Sequence, residues 1–163
     1  MVKSGDWTAA RAAVIGMAER MAKATRQAAR QEAHHFRAMV LKAFNTRGKS
    51  NGKAWVKLKP GTIRQKGSTK PLIRHGDLRN SVAVVEKGDT IFVGVANNKT
   101  RPGGGSLVSI AKVHEYGKII AQRRGGRIVL IKIPQRSFID ATAKFHFKPD
   151  QVKARFMQRV GAL

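Results

Sequence analysis

The chain has 163 residues, with 33 Lys and Arg against 9 Asp and Glu, a formal charge of +24 and no cysteine. That length suits one domain with a substantial core, and a hydrophobic content of 42% excludes a disordered basic tail. The lack of cysteine excludes a disulfide scaffold and thiolate chemistry, while the charge points to a polyanionic partner, either a phosphate polymer or an acidic protein.

From Trp7 the apolar or small positions Ala10, Val14, Met17, Met21, Ala24 and Ala28 recur three or four residues apart, the spacing of one helix face. The stripe slips by one residue and continues through Ala29, Ala33, Phe36, Val40 and Ala43. This predicts a helix of about 35 to 40 residues, capped by Ser4 or Asp6 and ending near residues 45–48. Such a length admits two readings: core packing along the whole helix, or one end that contacts a neighbouring subunit.

Residues 45–76 are rich in Lys, Gly, Ser, Thr and Pro and read as a long basic loop with one helical turn, a length that signals function inside a compact domain. A new element starts at Asp77, and residues 81–86 and 90–95 form a β-hairpin across Lys87-Gly88-Asp89. Arg101-Pro102-Gly103-Gly104-Gly105 is a turn, and residues 107–116 form either a short helix or an irregular strand, which periodicity does not decide. Residues 119–120 and 127–132 flank Arg123-Arg124-Gly125-Gly126 as a second hairpin with a basic tip. Residues 138–147 and 150–161 have helical spacing, broken at Pro149. The expected fold is α+β in a single domain: a long N-terminal helix packed on a small antiparallel sheet within residues 81–137, then C-terminal helices.

No run approaches a membrane span or a signal peptide, so a soluble protein kept inside a cell is expected. Catalytic groupings do not assemble from the motifs. Gly48-Lys49-Ser50 ends like a phosphate-binding loop, but the glycine required five residues earlier is Ala43. His114-Glu115 has Lys118 where a zinc protease needs its second histidine. His34 and His35 point about 100° apart on a helix and suit a surface or subunit contact. No Asp-x-Asp cluster offers a magnesium site, and no serine sits in a Gly-x-Ser-x-Gly elbow. The chain is therefore read as no enzyme, with no cofactor, no metal and no small-molecule substrate.

The cations are densest over residues 48–80, nine Lys and Arg against one acid, and over 101–136, eight against one. Within them Lys49, Lys53, Lys57 and Lys59, and Arg123, Arg124 and Arg127, are the candidates for contact with DNA phosphates or an acidic partner. A solvated face is the plainer alternative. Trp55 and Tyr116 read as packing residues rather than as platforms for stacking bases.

Five short signatures follow one another in order: Gly52-x-x-Trp55-x-x-Leu58-x-x-x-Thr62-x-x-x-Lys66; Leu72-x-x-x-Gly76-x-Leu78-x-x-Ser81; a hairpin ending near Gly94; His114-Glu115-Tyr116-Gly117; and Ile133-Pro134-x-Arg136-x-Phe138. Together, over about residues 50 to 140, they resemble the bacteriophage virion-morphogenesis and tail-completion proteins, with the Mu-like branch the nearest. The resemblance implies a small subunit recruited into a homo-oligomeric ring of six at the neck of the virion, around the DNA channel. Its partners would be other neck and tail proteins and the genomic DNA, with no membrane involved. By position, Trp55 and Leu58 would anchor the long loop, and Gly76 and Leu78 would lead into the sheet. His114, Glu115, Tyr116 and Gly117 would form the turn before the last hairpin, and Pro134, Arg136 and Phe138 would set the start of the closing helix, near subunit contacts. Ser137 replaces a proline frequent in the family, and residues 118–132 form a long basic insertion. Two other classes compete: a basic nucleic-acid-binding protein of ribosomal or nucleoid type, and a membrane-active amphipathic helix, for which the Ala-rich face is poorly suited.

Overall fold

The computed structural model describes residues 7–96 and 105–161, with the side chain of Arg124 outside that description. The expected caps Ser4 and Asp6 and most of the turn expected at residues 101–105 also lie outside the described residues. The chain divides into two compact units, one from residues up to Glu32 together with those from Pro149 onward, the other from Ala33 to Lys148.

The first element is α1, Trp7–Asn45, with the extent that its apolar periodicity predicts. Its burial is uneven. Ala28, Val40 and Ala43 are completely buried and Phe44 nearly so, whereas Trp7 is 78% exposed and Val14, Met17 and Met21 are also exposed. Core packing along the whole stripe is therefore corrected to packing over its later part. Periodicity records which face is apolar, not what covers it.

The basic segment 46–80 is more ordered than the expected loop. A 3₁₀ turn spans Lys49–Asn51, α2 spans Pro60–Lys66 and α3 spans Asp77–Asn80. Pro60 sits at the first position of α2, where its missing N–H and fixed φ carry no penalty, and Gly67 in the left-handed region ends it. The strands β1, Val82–Lys87, and β2, Thr90–Val95, pair antiparallel with Val82 opposite Val95 and Lys87 opposite Thr90. Helix α4 is Leu107–Tyr116, started by Ser106, whose side chain accepts a hydrogen bond from the Ser109 amide. The choice left open at 107–116 is thus resolved as a helix. Strands β3, Lys118–Arg124, and β4, Arg127–Ile133, pair antiparallel across Gly125-Gly126. The four strands make two separate two-stranded sheets instead of one. Helix α5 is Asp140–His146 and α6 is Pro149–Gly161. The class is α+β.

In the Ala33–Lys148 unit the core joins Val40, Ala43 and Phe44 of α1 to Trp55, Leu78, Val82, Leu107, Ala111 and Phe138. Phe44 is its hub, with the Phe138 ring 4.8 Å away and the Trp55 ring edge-on at 5.7 Å. Arg37 Nε donates to the Val82 carbonyl at 2.8 Å and ties α1 to the start of β1. Helix α4 packs on α3 and β2.

In the other unit, Glu32 of α1 accepts hydrogen bonds from Arg155 of α6, at 3.0 Å from Nε and 2.6 Å from Nη2, and also pairs with Arg159. Burial raises the Glu32 pKa, but the two arginines outweigh it and hold the carboxyl below its ordinary value of 4.5. A depressed carboxylate pKa contributes stability that is complete above about pH 4.5 and is lost as pH falls through the folded value. Glu32→Gln should therefore cost about 1 to 2 kcal/mol at pH 7. Hydrogen exchange of the α6 amides reads this out: protection should drop in the variant and lose its acid dependence below about pH 4.5.

Candidate functional site

Three of the five sequence signatures meet in one clasp. Glu115, in the last turn of α4, is buried, and its carboxylate accepts from the amides of Phe138 at 3.0 Å, Ile139 at 3.2 Å and Asp140 at 2.8 Å. Ser137 Oγ donates to the same carboxylate at 2.6 Å and accepts from the Ala141 amide at 3.0 Å. The free N–H groups at the start of α5 are thus satisfied by an acid 23 to 25 residues earlier in the chain. With both oxygens occupied in this way, Glu115 is a structural acid. Ser137 supplies the hydroxyl that closes the network.

The segment from Asn51 to Val56 locks onto this cap. The Arg136 amide donates to the His114 carbonyl at 2.7 Å, and the buried Arg136 guanidinium donates to the Val56 carbonyl at 3.1 and 3.2 Å. Trp55 Nε1 donates to the Ser137 carbonyl at 3.1 Å, and Asn51 donates to Thr142 Oγ1 at 2.8 Å with both residues buried. Gly52, with φ of 77°, lies so close to the Phe145 ring that a Cβ would sit 2.7 Å from it. Gly117, with φ of 74°, would bring a Cβ within 3.1 Å of the Gln135 amide and 3.2 Å of the Ile133 carbonyl.

Trp55, Leu78 and Phe138 are core residues, Leu58 is half-buried, and Gly76 adopts φ of 90° to open α3. Two expectations are corrected. His114, Glu115 and Tyr116 belong to the end of α4, so only Gly117 is a turn before the last hairpin. Tyr116 is 73% exposed and does not pack, because the last turn of α4 directs Glu115 inward and leaves its neighbour outside.

The basic residues separate into groups. Lys57 and Lys59 line a groove of about 650 Å³ together with Lys66, Arg74, Lys132 and Arg136, and none of its described lining residues is an acid. Lys49 and Lys53 are exposed outside that groove, and Arg123 and Arg127 are exposed beside the β3–β4 turn. Lys66, Arg74, Lys132 and Arg136 were not among the sequence-derived contact candidates. They are scattered over residues 66–136, so their convergence on one groove is not written in any local charge run.

His114 also borders the groove, and its Nδ1 is buried without a hydrogen-bond partner among the described residues. Burial, reinforced by the charges of Arg136 and Lys66, pushes its pKa down to about 4. Among the described residues no group of three His, Cys, Asp or Glu could hold a metal ion, and no helix is long and apolar enough to cross a membrane.

Replacing Glu115 by Gln would turn one acceptor into a donor facing backbone donors, so Glu115→Gln should lose about 2 to 4 kcal/mol in denaturant unfolding. For His114 the sign is opposite to that of a paired histidine. Its contribution is complete above pH 6.5, and stability falls by about 2 to 3 kcal/mol between pH 6.5 and 4, as the unfolded chain takes up a proton that the folded imidazole refuses. His114→Asn should flatten that part of the stability profile, measured as the difference between the two proteins at each pH.

No curated protein and no solved structure matches the sequence. The model of the phage virion morphogenesis family matches residues 6–146. That span covers all of α1, the whole clasp and every lining residue of the groove, and by it the chain belongs to the phage virion morphogenesis family.

Proposed function

We propose that this chain is a structural protein of the phage neck, completing the tail or joining it to the DNA-filled head. It closes as a ring of six copies around the DNA channel. Membership of the family supports a structural role in the virion. The observation that carries the finer reading is the apolar surface left uncovered in a single copy. Along α1 it includes Trp7, Val14, Met17 and Met21, and on the β3–β4 hairpin it includes Ile119, Ile128 and Leu130, the last two being 68% and 70% exposed. Isolated exposed apolar residues are ordinary, but a helix stripe and a hairpin bared together favour an assembly that covers them. Identical heterologous contacts close into a ring when their rotation permits.

The cations fit the same role. Repeated around a ring, the exposed lysines and arginines multiply modest phosphate contacts and retain a DNA end. A free ribosomal or nucleoid-type binder has no use for the bare apolar faces. Placement in the Mu-like branch rests on motif spacing alone.

Met17→Glu with Met21→Glu should leave the melting temperature within about 2 °C of the parent and abolish ring formation in native mass spectrometry. Rings that persist in this variant would remove α1 from the interface. Arg123, Arg124 and Arg127 changed together to Ser should preserve folding and reduce the joining of filled heads to tails, counted by electron microscopy of lysates. A normal infectious yield from that triple variant would remove the electrostatic part of the reading.

A further inference from the structure

The groove beside β4 has a chemistry that selects among polyanions. Lys57, Lys59, Lys66, Arg74, Lys132 and Arg136 line it, none of its described lining residues is an acid, and the rest of its wall is largely aliphatic. Consecutive residues 129–133 of β4 all border it. Side chains alternate across a strand, so a run of neighbours on one cavity means that the strand offers its edge as well as one face. Strand β4 pairs only with β3 among the described residues, which leaves its other edge with unused N–H and C=O groups.

Three features decide the occupant. No Phe, Tyr or Trp is among the lining residues and the Arg136 guanidinium is already bonded to the Val56 carbonyl, so the groove is a poor stacking platform for the bases of a single strand. A strand edge also presents carbonyl oxygens, which repel phosphates but accept hydrogen bonds from a peptide N–H. Finally, the chain's nine acids never lie closer together than Glu86 and Asp89, so no segment of a second copy provides a run of negative charge. We propose that the groove receives an extended acidic segment of a different virion protein, which adds to the free edge of β4. Its carboxylates meet the lysines and Arg74, and its alternate apolar side chains meet the aliphatic wall. Residues 129–133 accommodate about five such residues at roughly 3.3 Å each. This names the partner chemistry for the structural role proposed above and rests on that role only for the partner's being a virion component.

The test uses the full chain and a fluorescent hexapeptide that alternates Glu with Val, read by anisotropy. Its controls are the Gln-for-Glu peptide, the same acidic peptide N-methylated at every residue, and a 20-nucleotide single strand. The acidic peptide should bind, and both altered peptides should bind at least 10-fold more weakly. Lys57→Ser, Lys59→Ser and Lys132→Ser combined should weaken the acidic peptide at least 10-fold without changing the melting curve. Equal binding by the triple variant, equal binding by the N-methylated peptide, or no peptide binding at all would overturn the proposal. A single strand that loses affinity in the triple variant while the peptide does not would also overturn it, in favour of DNA. Mass spectrometry of purified particles tests the virion role separately: a chain present in particles whose groove ignores the peptide defeats only the groove assignment, and a chain missing from particles defeats the structural role itself.

Discussion

The carboxylate of Glu115 at the start of α5 is the contact on which the Ala33–Lys148 unit turns. It accepts three buried or half-buried amides and a serine hydroxyl, in a place where unsatisfied donors would each be costly. Because Glu115 ends α4 and its partners begin α5, one side chain sets the relation between two helices. Through Thr142 and the Ser137 carbonyl that relation reaches Asn51 and Trp55, and through Arg136 it reaches the Val56 carbonyl. The groove inherits its shape from the same bonds, since Val56, Pro134 and Arg136 all line it. In so basic a chain, an acid held in this position by hydrogen bonds serves architecture.

Around this clasp the molecule keeps little for itself. Its core rests on a few side chains centred on Phe44 and Phe138, while the early stripe of α1 and much of the β3–β4 hairpin stay bare. The surplus of positive charge works against compactness through self-repulsion, and anionic neighbours would relieve it. Bare apolar faces and uncompensated cations are both tolerable in a subunit whose final environment is other molecules. The groove combines apolar wall and cations in one place.

Much of this was legible before any tertiary contact was known. The spacing from Trp7 to Ala43 predicts α1, Lys87-Gly88-Asp89 and Arg123 to Gly126 mark both hairpin turns, and Pro149 marks the break before α6. Segment 46–80 was less legible. Its helices are short, so periodicity has no length over which to show itself, although Pro60 and Gly67 bracket α2 with ordinary start and stop chemistry. The low aromatic content favours packing over base stacking for Tyr116, but a single residue's direction at a helix end depends on what the helix lies against, and Tyr116 is exposed.

Local pattern by itself settled the elements, the charge and the order of the five signatures, because each is written within a few residues through helical or strand period and turn stereochemistry. Only the tertiary structure decided that Asn51 meets Thr142 and that Arg136 meets Val56, pairs separated by 91 and 80 positions. It also decided that Lys66, Arg74 and Lys132 share a groove with Lys57 and Lys59, and that the first half of the α1 stripe lies bare while Val40, Ala43 and Phe44 are buried. Such pairings depend on how whole elements stack, and the packing of apolar faces and the satisfaction of buried donors select that stacking across the chain rather than within any stretch of it.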